Sequence, residues 1–185
     1  MSGGRGKWGT SRYAVGGALS AALLCLVVWS VPAWAEPLVT IAAFQWTDSV
    51  DRTSKQYVKK LSSPVKTKKL YLWMQLRGSP EFLEKLRQSP DGRLPIRHEW
   101  YWYGPDALNA DMDVVIPLRV GRKDDLRKLA YEVDAKGYFH WRIWSGKTNL
   151  RKGWWRVDVV DEFGEPLLCT DGEATKPCTF QFRVQ

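Results

Sequence analysis

A mainly β fold, an antiparallel β-sandwich of immunoglobulin-like or related barrel type, is what this sequence predicts, with one or two short helices in its connections and a signal helix in front. Three observations predict it. About seven stretches alternate apolar and polar residues with the period of two that a half-buried strand requires. Clusters of Gly, Pro, Asn, Asp and Ser separate them at short intervals. Helical spacing is confined to brief segments, which leaves sheet packed on sheet as the way to bury the apolar faces.

The leader comes first. Arg5, Lys7 and Arg12 precede an uncharged run from Tyr13 to Ala35 that ends Ala33-Trp34-Ala35 before Glu36. A basic start, an apolar middle and a small-residue site form the pattern of a secretory signal, with cleavage expected between Ala35 and Glu36. An uncleaved anchor is the alternative, since residues 14 to 35 supply 22 uncharged positions and roughly 20 span a bilayer. Both readings export residues 36 to 185, because the leading cations stay on the cytoplasmic side. The expected location is therefore the periplasm or the outer face of the inner membrane, with membrane contact only through an uncleaved leader. Residues 36 to 185 make one β-rich domain with enough chain for a core.

Losing the three leader cations reduces Lys and Arg from 28 to 25 against 20 Asp and Glu, so the net charge falls from +8 to +5. An exported domain of mild basicity points away from nucleic acid and toward an envelope protein or an anionic polysaccharide. Once Cys25 leaves with the leader, Cys169 and Cys178 remain, an even number in an oxidising compartment, and they are expected to pair. Eight intervening residues do not suit a CxxC redox motif, and a metal site would need a second ligand pair. The ten-residue loop they close would contribute about 2.7 kcal/mol at most on chain-entropy grounds.

Leu38 to Trp46 has the length and composition of a first core strand. Asp48 to Lys69 reads as a long polar connection carrying Lys55, Lys59, Lys60, Lys66, Lys68 and Lys69, a charge run of the kind that usually forms a solvated surface. From Leu70 to Leu76 the leucines and Met74 share one face, and Tyr71, Trp73 and Gln75 the other. Ser79-Pro80-Glu81 then offers a cap, a first-turn proline and an acid at the positive end of a helix, followed by Phe82, Leu83 and Leu86 at helical spacing. In Leu94 to Tyr103, Ile96, His98, Trp100 and Trp102 lie opposite Arg97, Glu99, Tyr101 and Tyr103. Val114 to Val120 supplies another strand, with Pro117 marking an edge or bulge. Lys123 to Val133 fits a helix or a strand equally well.

Phe139 to Leu168 is the most legible stretch. Phe139, Trp141 and Ile143 oppose His140, Arg142 and Trp144; after SGKTNLRKG, Trp155, Val157 and Val159 oppose Trp154, Arg156 and Asp158. The two strands read together as an aromatic-rich antiparallel sheet, closed by a turn at Asp161-Glu162-Phe163-Gly164. Phe180, Phe182 and Val184 form a last strand. Eight tryptophans survive removal of the leader, and each can bury roughly 150 to 250 Å². Trp154 and Trp155 are neighbours, and Trp141 and Trp144 differ in parity, so some must lie on a face shared with His140, Arg142 and Arg156. Either loops cover that face as a second small core, or it is a platform for sugar rings or a protein partner.

Several patches resemble the bacterial family called domain of unknown function 2914 (DUF2914). They are His98-Glu99-Trp100, Trp141-Arg142-Ile143-Trp144-Ser145-Gly146-Lys147, Gly153-Trp154-Trp155-Arg156-Val157, Asp161 with Gly164 and Leu168, and Phe182-Arg183-Val184. In order and spacing these are similar to the family's His-x-Trp, Arg-x-Trp/Tyr-Ser-x-Lys, Gly-x-Trp-x-Val and Phe-x-Val patches. The long segment around Lys123 to Lys136 and the Cys169 to Cys178 loop depart from the pattern. The resemblance implies a β-rich domain, often exported or membrane-attached, and brings no catalytic residue.

His98 and His140 are the only histidines, so a histidine-dependent enzyme would use one of them. His98-Glu99 lacks the second histidine of a zinc peptidase, Ser145 lacks a nucleophile elbow, and no glycine-rich phosphate loop is present. Asp111 with Asp113 is a carboxylate pair of the sort that is usually solvated. The expectation is a binding or accessory module without catalytic residue, metal or cofactor. Its candidate binding residues are His98, Trp100, His140, Arg142, Trp144, Ser145, Lys147, Trp154 and Arg156.

Overall fold

The computed structural model describes residues 37–90, 92–104, 111–121, 133–171 and 174–185. The leader, and all of the ambiguous segment from Lys123 except Val133, lie outside the described residues. The elements in order are β1 (Val39–Thr47), β2 (Lys69–Gly78), α1 (Pro80–Gln88), β3 (Arg93–Gly104), β4 (Asp111–Gly121), β5 (Phe139–Thr148), β6 (Gly153–Val160), β7 (Leu168–Asp171), β8 (Ala174–Pro177) and β9 (Phe180–Val184). They form two sheets, one ordered β5-β2-β1-β7-β8 and the other β4-β3-β6-β9. This is an open sandwich rather than a closed barrel.

Alternation does the sorting. Buried positions recur at every second residue of β5, β6 and β9, so each strand gives one face to a shared core that includes Leu72, Met74, Trp100, Phe139, Ile143, Trp155, Phe180 and Phe182. All pairings between the named strands are antiparallel except β1 with β7, which run parallel over Thr40–Ile41 and Leu168–Cys169. The helix begins as its residues dictate: Ser79 Oγ accepts from the Phe82 N–H at 3.1 Å, Pro80 occupies the first turn, and Phe82 and Leu86 are buried.

The expected sheet joining Phe139–Thr148 to Gly153–Val160 does not form. β5 pairs along its whole length with β2, from Lys69↔Thr148 to Gly78↔Phe139, whereas β6 pairs with β3 and β9. Asn149 adopts φ 57° and donates its N–H to Lys68 O at 2.9 Å. The chain therefore turns out of β5's plane and crosses to the opposite sheet, roughly 10 Å away, in place of folding back as a hairpin. The outward residues of β5 (His140, Arg142, Trp144) and of β6 (Trp154, Arg156, Asp158) consequently face away from each other on opposite sides of the sandwich.

The outer face of the five-stranded sheet is covered, as one of the two sequence readings required. Bridges Thr47↔Lys60 and Val50↔Tyr57 hold the lysine-rich connection against it. Trp73 Nε1 donates to Lys55 O at 2.8 Å, and the Tyr57 ring meets the Trp73 ring edge-on at 5.1 Å. Trp73 points outward by parity and is nevertheless only 4% exposed. The same connection then reaches β9, where Val65 N donates to Arg183 O at 3.2 Å and Gln185 N to Val65 O at 3.0 Å, protecting part of an edge strand.

Cys169 and Cys178 are bonded, with Cα atoms 5.4 Å apart, and staple the β7–β8 hairpin. Both cysteines should resist thiol reagents until the protein is reduced. Cys178→Ser should lower stability by up to about 2.7 kcal/mol and leave the sandwich folded, as read from chemical denaturation. Free thiols in freshly isolated protein would contradict the pairing.

Candidate functional site

The nine residues expected to form one site fall into three places. His98, Trp100, Ser145 and Lys147 belong to the interior or its rim. His140, Arg142 and Trp144 stand on the outer face of the five-stranded sheet, and Trp154 and Arg156 on the outer face of the four-stranded one. The structure does not bring them together, because β5 and β6 belong to different sheets.

The interior group is built by inward positions of β3 and β5. Ser145 Oγ lies 2.7 Å from His98 Nδ1 and accepts the Trp100 Nε1–H at 2.9 Å. Trp100 can only donate, and the hydroxyl keeps a proton and a second lone pair, so its contact with Nδ1 suits either tautomer of the neutral ring. Nε2 finds no partner among the described residues. His98 is 0% exposed and Ser145 4%, and burial pushes the imidazole down from 6.5 to about 3. A histidine beside a serine has the composition of a nucleophile and its base. Here it is sealed from solvent and ties one sheet to the other. At the rim Lys147 pairs with Asp113, which Arg151 also contacts at 3.2 Å, and the Lys147 ammonium lies 5.5 Å from the Trp155 ring centre.

Two glycines let aromatic rings approach the backbone here. Any side chain at Gly146 would collide with the Tyr71 ring. Gly153 has φ 128°, and a Cβ there would sit 2.6 Å from the Gly104 carbonyl oxygen, which holds β6 close against the end of β3.

On the five-stranded sheet, His140 Nε2 lies 3.2 Å from Asp134 Oδ2 and Nδ1 lies 3.4 Å from Gln75 Nε2. Asp134 also accepts backbone N–H bonds from Lys136 and Tyr138, 2.9 and 3.0 Å away. Trp144 is half-buried beneath Lys55, whose ammonium is 5.5 Å from its ring. This face is the one the lysine-rich connection overlies.

The four-stranded sheet presents a different face. β3 pairs with β6 in register Tyr101↔Arg156 and Trp102↔Trp155, then slips so that Gly104 meets Trp154. Tyr103 is the extra residue of that bulge and is aimed outward beside Trp154. On the far side Arg156 faces Gln181 of β9, and Trp154 faces Arg183. The Arg156 guanidinium lies over both Tyr101 and Tyr103, 4.7 and 5.4 Å from their ring centres, with Nη2 held by Asp158 at 2.9 Å. Burial and the hydrogen bond to Glu99 raise the Tyr101 phenol above its ordinary value, so it stays neutral. A half-open depression of about 290 Å³ lies here, lined by Tyr103, Trp154, Trp155 and Gln181. Chemically it offers two aromatic faces, an amide and fixed guanidinium groups. Among the described residues no three His, Cys, Asp or Glu side chains converge as a metal site would require.

Compared with known families, the chain matches the description Protein of unknown function (DUF2914) over residues 95–169. That stretch is similar to the DUF2914 family. No curated protein matches the chain. The DUF2914 stretch runs from within β3 into β7 and contains His98, Trp100, Ser145, Lys147, Gly153 and Trp155. The patches that carried the resemblance thus include the hydrogen-bonded interior. Gln181 and Arg183 of the outer depression fall beyond the matched residues. Sequence reasoning missed Tyr101, Tyr103, Gln181 and Arg183. Strand parity put both tyrosines opposite Trp100, but nothing local says that β3 lies beside β6 and β6 beside β9.

The buried imidazole has a pH signature. The unfolded ring takes a proton near 6.5 and the folded one only near 3, so its contribution is intact above pH 6.5 and is lost as pH falls from there toward 3. The wild type should lose up to about 1.4 kcal/mol per pH unit more than His98→Gln across that window, measured by urea unfolding at a series of pH values. Parallel pH profiles would show that the ring is not buried in neutral form.

Proposed function

We propose that this protein is an exported, non-catalytic binding or accessory module of the bacterial cell envelope, and that it contacts its partner through the outer face of the β4-β3-β6-β9 sheet. The observation that carries this reading is the depression between Tyr103 and Trp154, with Gln181 beside it and Arg156 stacked on its tyrosines. Export rests on the leader pattern. The absence of turnover is argued from burial: the one Ser–His pair among the described residues is out of reach of any substrate. Side chains that hold flat, polar-edged ligands are half-buried and pre-positioned at the surface, while those with the composition of reaction chemistry are inside. Both a glycan and a protein surface fit such a face.

A second reading has one observation in its favour. His140 is paired with Asp134 on the other sheet, which is how a general base is oriented, so an enzyme using His140 is the alternative. It lacks an adjoining nucleophile among the described contacts of that ring.

The two sheets separate under mutation. Trp154→Ala should reduce retention of the mature protein on its own envelope fraction about 30-fold, the usual cost of truncating a central aromatic contact, with its cooperative urea unfolding retained. Trp144→Ala, beneath the lysine-rich connection, should leave retention as it is. Retention that depends on Trp144 and not Trp154 would place the surface on the wrong sheet. Turnover of a defined substrate that disappears in His140→Ala would favour the enzyme.

A further inference from the structure

Resting on that reading of the outer face, we infer that the depression beside Trp154 receives a single pyranose ring of an acidic polysaccharide, a hexuronate whose carboxylate is held by Arg183. The volume sets the size of the ligand. About 290 Å³ is at the small end of ligand sites, which run from roughly 300 to 1,000 Å³, and the depression is open. One ring seats, and the glycan chain can continue along the sheet in both directions. The lining sets the ring's chemistry. Trp154 and Tyr103 come from adjacent strands and offer flat apolar surfaces to the C–H faces of a sugar, while the Gln181 amide both donates and accepts toward hydroxyl groups.

Charge decides between an acidic and a neutral sugar. Arg156 is paired with Asp158 and Arg97 lies 3.7 Å from Glu99, so both carboxylates of this face are matched. Arg183 lies over the Trp154 ring, 5.8 Å from its centre, and among the described residues no carboxylate reaches its guanidinium. Beside the depression there is therefore one positioned cation that no carboxylate among the described residues compensates. A carboxylate attached directly to a pyranose ring stacked on Trp154 meets that cation, and the planar guanidinium fork matches it in two hydrogen bonds. A neutral sugar would leave the guanidinium unmatched.

Trigalacturonate and its methyl ester share rings and hydroxyl groups and differ at the carboxyl groups, charged in one and capped by a methyl in the other. Titrated into the mature protein by calorimetry and tryptophan fluorescence, the acid should bind at least about tenfold tighter than the ester. Arg183→Gln should bring the acid down to the ester's affinity, Trp154→Ala should abolish binding of both, and Trp144→Ala should change neither. Equal affinity for acid and ester, or full affinity for the acid in Arg183→Gln, would overturn the inference. If neither sugar binds while Trp154→Ala still removes envelope retention, the acidic-glycan assignment falls and the binding face stands, with a protein as its partner. If Trp154→Ala leaves envelope retention intact, the face and the glycan both fall.

Discussion

One hydroxyl group holds the two sheets in register. Ser145 stands on β5 of one sheet and receives the indole N–H of Trp100 while bonding to the imidazole of His98, both from β3 of the other. Hydrophobic contacts between sheets are strong but indifferent to a small slide, whereas buried hydrogen bonds are directional and costly to leave unmade. The register so defined places β3 inward with Ile96, His98 and Trp100, and by the same alternation outward with Glu99, Tyr101 and Tyr103. The outer depression is thus a consequence of the inner network: slipping β3 by one residue would bury the tyrosines and expose the histidine.

This arrangement separates two jobs that the sequence interleaves. The DUF2914 stretch contains His98, Trp100, Ser145, Lys147 and Trp155, whose side chains link the sheets or close their rim. Tyr103, Trp154 and Arg156 alternate with them along the same strands and look outward. Gln181 and Arg183 come from β9, beyond that stretch. The other sheet is treated differently. Its outer aromatic, Trp73, lies beneath Tyr57 and Lys55, and this covering protects a surface that would otherwise be an exposed apolar patch.

Local physics made much of the fold legible. Period-two alternation located β2, β3, β5, β6 and β9, the Ser79-Pro80 signal located α1, Asp161 located a turn in which its carboxylate accepts backbone N–H groups, and the even cysteine count beyond Cys25 paired Cys169 with Cys178. Strand neighbours were not legible. Alternation says which residues share a face of one strand and is silent on which strand comes next to it, so β5 and β6 were joined across a short connection that in fact crosses the sandwich. That error placed Trp144, His140 and Arg142 with Trp154 and Arg156. It also hid the real companions of Trp154, which lie about fifty residues before it in β3 and about thirty after it in β9. His98 is a site candidate from sequence as one of two histidines, yet its inward parity beside Trp100 is the better guide to its role.

A double-mutant cycle between His98 and Ser145 tests most directly whether their bond couples the sheets. Unfolding free energies at pH 7 would be measured for the wild type, His98→Phe, Ser145→Ala and the double variant. Coupling of about 1 kcal/mol or more between the two positions is the result expected of a buried hydrogen bond in a shared network. Strict additivity would contradict it, and would mean that apolar packing alone holds the two sheets in register.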